Sequence, residues 1–291
     1  ILAESNNILI GNNSSETGPW EGSNHNFQIH SALTNEEIKT NFDATANTFR
    51  QTPVSGLVTD NLVLQLDPAN AVRGMRAKAD DTCDDSIKWF DLSPEGNDGT
   101  LTNFSSCGDT SGWNGDGSVG DPFRLTMSDD SQIDHVAVDP IDLNNVHTLE
   151  AWVKADTAYS GSSDVLGIFN GTSNSYYFEF NAEDSVRYRA VSCNEFIPIS
   201  GGPAGEWNHL ILTRNDQILQ LALNGKDQTP VDCGNSATFT GSLIGNIYSG
   251  VERFAGSLGY LGIYTSALTA DERSSNFRAQ ADRFREHPLS S

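Results

Sequence analysis

One internal repeat constrains the fold of this chain more than any other feature of its sequence. Residues 31–50, SALTNEEIKTNFDATANTFR, match residues 266–285, SALTADERSSNFRAQADRFR, with eleven of twenty positions identical at an offset of 235. Self-similarity at a fixed spacing indicates that one structural unit is used twice. We therefore expect residues 1–52 to be the closing strands and helix of a preceding repeat, and residues 53–291 to be a complete domain.

Both copies of the repeat carry the signals of a short amphipathic helix. Thr269 and Glu272 have the T-x-x-E spacing of a capping box. Phe277, Ala281 and Phe284 then recur at i, i+4 and i+7, which places them on one helix face. The N-terminal copy has the same pattern at Thr34, Glu37, Phe42, Ala46 and Phe49. We expect both helices to dock on a core through the two phenylalanines.

The residues between the two helices have the pattern of β-structure. Residues 148–154 alternate apolar and polar side chains, and Asn224-Gly225 is a tight-turn signal. Further candidate strands are 62–66, 176–180, 186–191, 208–214, 217–223, 242–245 and 254–264. Many short strands with turn-rich connections and one terminal helix predict an all-β, two-sheet antiparallel jelly-roll sandwich with a short C-terminal helix.

The charge of the chain excludes several classes of partner. There are 39 acidic and 17 basic residues, which give a formal net charge of −22. A nucleic-acid interface needs clustered lysine and arginine, and anionic membrane surfaces attract basic segments, so neither partner is expected. The sequence has no apolar run long enough to span a membrane. So acidic a composition suits a salty medium or calcium, whose ligands are mostly carboxylate and carbonyl oxygens.

The cysteines and glycosylation motifs favour an extracellular location. The chain has no C-x-x-C pair, and pairing of neighbours would give Cys83–Cys107 and Cys193–Cys233. Four buried free thiols are the alternative. Sequons for N-glycosylation occur at Asn12, Asn13, Asn103 and Asn170. Disulfides and sequons together are typical of an oxidising compartment outside the cell.

Several motifs in the same order resemble the laminin G-like, concanavalin A-like jelly-roll family. They are TLEAWVK at 148–154, GEWNHLILTR at 205–214, LQLALNGK at 219–226 and FAGSLGYLGIYTSALTADE at 254–272. NLVLQLDPAN at 61–70 and WFDLSPEGNDGTLT at 89–102 resemble the start of bacterial-type members. The resemblance covers nearly all of 57–286, and residues 1–50 resemble the tail of another copy. It implies two curved sheets of six or seven strands.

The resemblance also implies a calcium ion at the sheet rim. Asp91, Asn97 and Asp98 lie in a D-x-S-x-x-G-N-D-G loop where family members often bind calcium, although plain turn chemistry explains the same residues. Members usually have a carboxylate where this chain has Gly259, and the N-terminal copy has His25 there. Acidic residues that offer alternative ligands are Asp116, Asp129 and Asp130.

No catalytic motif accompanies the fold. Glycanases need two carboxylates that flank the scissile bond, and in this family they come from one strand. The nearest run is EFNAE at 179–183, which has asparagine where an aspartate would be needed. We therefore expect a domain that is not an enzyme.

Two functions fit these observations. The repeat favours an extracellular structural or adhesive module, one unit of a tandem array whose partners are neighbouring copies or other extracellular proteins. The alternative is a carbohydrate-binding module, calcium-dependent or not, attached to a polysaccharide-degrading enzyme. Such a site needs exposed aromatic rings. The candidates are Trp113, Tyr159, Tyr176 and Tyr177, for which core packing is the other explanation.

Residues 1–50 raise a further alternative. Their apolar side chains need a partner, because closing strands and one helix cannot bury them alone. They are expected to belong to an upstream domain, or else to complete the sheet of a neighbouring subunit.

Overall fold

The structure is a computed structural model, and its description covers part of the chain. The described residues are 56–69, 88–104, 111–127, 134–155, 166–171, 176–181, 185–199, 205–235, 238–245 and 256–285. The chain divides into two compact units, Ile1–Phe49 and Arg50–Ser291, and the described residues all belong to the second. The predictions for residues 1–52, including their helix and both of their sequons, lie outside the described residues.

The described residues form two antiparallel sheets and one helix. The nine-stranded sheet contains β1 (Leu62–Leu66), β4 (Gly112–Asn114), β5 (Arg124–Met127), β7 (Val146–Ala155), β12 (Trp207–Asn215), β13 (Ile218–Leu223), β14 (Lys226–Asp227), β15 (Val231–Asp232) and β17 (Gly256–Tyr264). The eight-stranded sheet contains β2 (Lys88–Trp89), β3 (Gly99–Thr102), β6 (His135–Leu143), β8 (Leu166–Asn170), β9 (Tyr177–Asn181), β10 (Ser185–Ala190), β11 (Cys193–Pro198) and β16 (Phe239–Ile244). The helix α1 (Ala270–Phe284) follows the last strand.

Strands that are distant in sequence are neighbours in both sheets. The nine-stranded sheet has the order β14-β13-β12-β7-β17-β5-β4, with β1 beside β17 and β15 beside β13. The eight-stranded sheet has the order β11-β10-β9-β8-β16-β6-β3-β2. This topology confirms the predicted jelly-roll sandwich. Each sheet has more strands than the six or seven that the resemblance implied, because two-residue strands such as β2, β14 and β15 extend the edges.

The main core lies between the two sheets and follows the alternation of the sequence. On β7, Leu149, Ala151 and Val153 are fully buried in this core, as the spacing predicts. On β12, Leu210 and Leu212 belong to the same cluster. The intervening residues of both strands therefore point to the outer face of the nine-stranded sheet.

The helix covers that outer face. Trp152, which alternates with the core residues of β7, stacks on the ring of Phe284 with 4.5 Å between ring centres. Trp152 also stacks on Phe277, at 5.9 Å. Trp207 and Tyr260 belong to the same second apolar cluster, which is separate from the main core. The two phenylalanines of α1 thus dock as the repeat predicted.

A buried carboxylate beneath the helix forms hydrogen bonds with α1 and with two strands of the sheet. Glu150 is fully buried, and its Oε1 lies 2.9 Å from His209 Nε2 and accepts a hydrogen bond from Gln280 Nε2 at 2.8 Å. Its Oε2 accepts from Asn276 Nδ2 at 2.7 Å and lies 3.2 Å from the Tyr264 hydroxyl. Burial and the Glu150 charge raise the pKa of Tyr264 well above its usual value, so this hydroxyl keeps its proton.

Ion pairs and a capping box fix the two ends of α1. Thr269 accepts from the backbone N–H of Glu272, whose carboxylate accepts from the Thr269 backbone N–H, which confirms the predicted capping box. Arg273 pairs in bidentate fashion with Asp227 on β14. Further along the helix, Arg283 pairs in the same way with Asp67, one residue after β1.

A disulfide links the two sheets. Cys193 at the start of β11 is bonded to Cys233, which follows β15, and the two Cα atoms are 5.2 Å apart. This is one of the two neighbour pairings predicted from the sequence; Cys83 and Cys107 lie outside the described residues. A sequence separation of 40 residues corresponds to about 4 kcal/mol of stabilisation on the chain-entropy model.

Replacing Asn276 by alanine tests how α1 is held. The side chain donates to Glu150, and its Oδ1 accepts from the Val58 backbone N–H at 2.8 Å. Its loss leaves a buried carboxylate and an amide with one partner fewer, so we expect unfolding free energy to fall by about 2 kcal/mol in urea titration. Arg278→Ala, on the exposed face of α1, is the control and should change stability by less than about 0.5 kcal/mol. Equal losses in the two variants would contradict this role.

Candidate functional site

The candidate site is the outward face of β9, β10 and β11, at one edge of the eight-stranded sheet. Arg187 on β10 lies opposite Glu179 on β9 and opposite Phe196 on β11. In the next row along the strands, Arg189 lies opposite Asn194. These five residues share one face because side chains alternate along each strand. We call them the edge face.

Strand alternation determines which side chains form the edge face, because the alternate residues of the same strands are buried in the core. Phe180 on β9 and Val186, Tyr188 and Ile197 on the other two strands are fully or almost fully buried in the core. Their polar neighbours must therefore point outward. A two-residue turn joins β10 to β11, and the disulfide at Cys193 ties the start of β11 to the other sheet. The β10–β11 hairpin that carries most of the edge face is therefore fixed by this disulfide.

Arg187 is the centre of the edge face. Its Nε donates to Asn194 Oδ1 at 3.1 Å, and its NH1 donates to Glu179 Oε2 at 3.4 Å. The guanidinium carbon lies 5.1 Å from the ring centre of Phe196, close enough for a cation–π contact. Glu179 is fully buried, whereas the Arg187 side chain is 16% exposed. Three different neighbours therefore fix one guanidinium at the surface.

Phe196 gives this arrangement its chemical character. It is 51% exposed, which is unusual for a large apolar side chain in the middle of a strand. An exposed ring beside a held guanidinium and an amide can present an apolar surface and hydrogen-bonding groups to the same ligand. Such a combination suits a ligand that has an apolar face and polar edges.

Of the aromatic candidates from the sequence, the two whose side chains are described lie beside different sheets. Trp113 is on β4 of the nine-stranded sheet, where it packs edge-on against Trp89 at 5.1 Å. Tyr176 precedes β9 and packs against Phe239 at 5.7 Å. Both are partly buried against the main core, which favours core packing for each. Tyr159 lies outside the described residues, as does the side chain of Tyr177, which is in β9.

The loop predicted to bind calcium is a hydrogen-bonded turn. Asp91 is fully buried, and its Oδ1 accepts from the backbone N–H groups of Gln65 and Ser93, both at 2.8 Å. Its Oδ2 accepts from the Ser93 hydroxyl at 2.6 Å and the Asn97 N–H at 2.8 Å. Asp98 Oδ1 accepts from the Asp91 N–H at 2.9 Å. The carboxylate of Asp91 is saturated with donors, so these residues do not fit a calcium site.

Gly259 shows why the family carboxylate is absent from β17. A Cβ atom at this position would lie 2.4 Å from the ring of Phe284 and 3.0 Å from that of Trp207. The docked helix therefore takes the space of a side chain. Among the described residues, no group of three or more His, Cys, Asp or Glu side chains is placed to hold a metal ion. Asp129 and Asp130 lie outside them, and calcium binding elsewhere stays a prediction.

Two of the predicted glycosylation sites can be placed. Asn170 is fully buried at the end of β8, and its Oδ1 accepts from the Phe178 N–H at 3.3 Å. Burial of this side chain leaves little room for a glycan, and glycosylation of Asn170 stays a prediction. Asn103 follows β3 with a φ of 65° and is partly exposed, and its glycosylation stays a prediction.

A second polar cluster lies inside the sandwich, beneath β10. His147 Nδ1 is 2.6 Å from the Asn144 carbonyl, which can only accept, so Nε2 is left to accept from the Tyr188 hydroxyl at 3.1 Å. Arg214 is fully buried and donates to that hydroxyl and to the carbonyls of Asp216 and Asn235. Burial raises the pKa of Tyr188 to about 12. The cluster is closed to ligands and holds the two sheets together.

This cluster makes stability depend on pH. Burial, with a smaller contribution from Arg214, lowers the pKa of His147 from 6.5 to about 4 against the opposing hydrogen bond to Asn144. In the unfolded chain His147 is protonated below about pH 6.5, whereas in the folded chain it is protonated only below about pH 4. The folded state has its full stability above the pKa of His147 in the unfolded chain. As the pH falls toward the pKa in the folded chain, the free energy of unfolding decreases by about 3 kcal/mol.

The His147→Gln variant tests this pH dependence. Glutamine can still donate to Asn144 and accept from Tyr188, but it does not titrate. We expect the decrease in unfolding free energy between pH 7 and pH 4, measured by urea titration, to be about 3 kcal/mol smaller in the variant. The same decrease in both proteins would show that His147 is not responsible.

The comparisons with known proteins agree with this architecture. Residues 129–272 match the family model for the concanavalin A-like lectin/glucanases superfamily, a laminin G-type model. The matched segment runs from before β6 into α1, which confirms the resemblance to this superfamily that the sequence motifs indicate. No curated protein matches the sequence. Among the described helices, none is long and apolar enough to cross a membrane.

Solved structures share the fold at low sequence identity. Domain 4 of AbnA, a GH43 extracellular arabinanase from Geobacillus stearothermophilus, in complex with arabinotriose, is 16% identical with a TM-score of 0.51, over 74% of this chain and 98% of that domain. The botulinum neurotoxin serotype D binding domain is 12% identical with a TM-score of 0.53, over 78% of this chain and 53% of its own. The serotype D ligand binding domain in complex with N-acetylneuraminic acid is 11% identical with a TM-score of 0.51, over 77% of this chain and 52% of its own. The chain thus spans about half of the toxin domains, and the likeness concerns the fold alone.

Proposed function

We propose that the second unit of this chain is a non-catalytic, extracellular carbohydrate-binding module whose site is the edge face. The observation that carries the proposal is the half-exposed ring of Phe196 beside the fixed guanidinium of Arg187. The structure of AbnA domain 4 in complex with arabinotriose supports it, since the shared fold covers 98% of that domain.

The edge face would bind a sugar through two kinds of contact. The C–H face of a pyranose or furanose ring packs on Phe196, which removes apolar surface of both from water. Sugar hydroxyls then exchange hydrogen bonds with the Arg187 guanidinium and the Asn194 amide. Because Glu179 and Asn194 already hold Arg187 in place, little side-chain entropy is lost on binding.

The absence of catalysis is part of the proposal. Glycoside hydrolysis needs one carboxylate as acid and another as nucleophile or base, on opposite sides of the scissile bond. Glu179 is the described glutamate of the EFNAE run, and its carboxylate is buried and paired with Arg187. This arrangement supports a role in positioning Arg187 rather than in attack on a sugar.

The internal repeat favours a second candidate function, a structural or adhesive module in a tandem array. The positions that are identical in both copies include the buried residues Leu268, Asn276, Phe277, Ala281 and Phe284 of the described copy. The apolar residues that dock α1, together with Asn276, are therefore kept in the sequence of the other copy, whereas Arg273, Gln280 and Arg283 are not. The two functions are compatible, because a repeated module multiplies weak glycan contacts through avidity.

The Phe196→Ala variant tests the proposed site. Loss of the ring removes the stacking surface, so we expect at least about tenfold weaker binding to any glycan found on an array, measured by calorimetry. Phe90→Ala is the matched control, because Phe90 is 47% exposed just after β2, at the opposite edge of the same sheet. Its affinity should stay within about twofold of that of the unmodified chain.

Two outcomes would contradict the proposal. One is a glycan whose binding survives Phe196→Ala, and the other is an array on which the unmodified chain binds nothing. The measurements are made with calcium and with a chelator, so that the predicted calcium dependence is tested separately from the site.

A further inference from the structure

The edge face carries an unusual arrangement of charge. Glu179 is fully buried although it lies on the outward side of β9, and its ion pair is with the only guanidinium that touches the exposed ring among the described residues. The other cation of the face, Arg189, has an interaction partner of its own. The positive charge of Arg187 is therefore already paired with a buried carboxylate within the edge face.

We propose that Glu179 determines specificity and makes the edge face select neutral glycans over glycans that carry carboxylates. This inference rests on the proposed function. It names the class of ligand, hydroxyl-rich and uncharged sugars, and the residue that sets the selection.

The electrostatics of the ion pair lead to this selection. A carboxylate on a sugar would have to compete with Glu179 for Arg187, and it would be repelled by Glu179 through a medium of low dielectric constant. A neutral sugar makes no such demand, since its hydroxyls accept N–H bonds from Arg187 while the ion pair stays intact. The charge of the whole chain acts in the same direction, because a net charge of −22 repels polyanions at long range.

The isosteric variant Glu179→Gln separates the local charge from everything else. Glutamine keeps the shape and can still accept from Arg187, but the guanidinium charge is no longer offset. Its matched control is Glu195→Gln, because Glu195 is on β11 opposite Tyr188, on the other face of the hairpin, and the change in net charge is identical.

The experiment measures the affinity of the full chain for neutral and acidic trisaccharides of equal length. Arabinotriose and cellotriose are the neutral probes, and trigalacturonate is the acidic one, each titrated at low and at high salt. We expect the unmodified chain to prefer a neutral probe by at least about tenfold at low salt. Glu179→Gln should bind trigalacturonate about tenfold more tightly than the unmodified chain does, and less so at high salt, so that its ratio of acidic-probe to neutral-probe affinity rises.

Each result decides the inference. Equal binding of neutral and acidic probes by the unmodified chain would overturn it and leave the proposed function intact. Equal gains in Glu179→Gln and Glu195→Gln would also overturn it, because the gain would then come from net charge. Failure of every probe and of a wider array would overturn both proposals.

A second variant keeps the test decisive if Glu179→Gln does not fold. Arg187→Gln removes the cation and leaves Glu179 charged, so affinity for the neutral probe should fall about tenfold and trigalacturonate should not bind. Trigalacturonate binding that persists in Arg187→Gln would place acidic ligands elsewhere and overturn the inference.

Discussion

The burial of one carboxylate, that of Glu150, organises the outer side of the nine-stranded sheet. Removal of a carboxylate from water costs several kcal/mol, and this cost is offset only where donors surround it. The donors come from β12, β17 and α1, so the charge is satisfied only when the helix is docked. Helix, strands and the capping box at Thr269 therefore depend on one another.

This dependence has a consequence for function. With α1 over the nine-stranded sheet, the outer surface of that sheet is occupied by the stacked rings of Trp152, Phe277 and Phe284. The edge face is on the other sheet, where a second buried carboxylate, Glu179, holds a surface guanidinium instead of a helix. A carboxylate buried on the outward side of a strand thus holds the helix over the nine-stranded sheet and positions a surface arginine on the eight-stranded sheet.

Much of the fold could be predicted because its signals are local. Alternation in residues 148–154 identified β7, and Asn224-Gly225 forms a turn with φ of 52° and 77° that both residues tolerate. The spacing of Thr269 and Glu272 identified the start of α1. The two-residue strands β2, β14 and β15 are too short to show a period, and long-range pairing alone defines them.

The candidate site could be predicted much less well. An aromatic residue gives the same sequence signal whether its ring is exposed or buried, so Trp113 and Tyr176 were favoured although both pack on the core. Phe196 was not among the candidates. Its only signal in the sequence is the alternation of CNEFIP, which places it on the opposite face of β11 from the buried Ile197. The pairing of Glu179 with Arg187 has no local signal in the sequence, because only the register of β9 and β10 brings the two side chains together.

The most direct test of the account is a map of where a glycan binds. Backbone amide chemical shifts of the full, isotope-labelled chain are recorded while the best-binding oligosaccharide is added. We predict that the largest changes fall on β9, β10 and β11, around Arg187, Asn194 and Phe196, with little change on α1 or in the turn at Asp91. Changes concentrated on the helix, on that turn or on the opposite edge at Phe90 would contradict it.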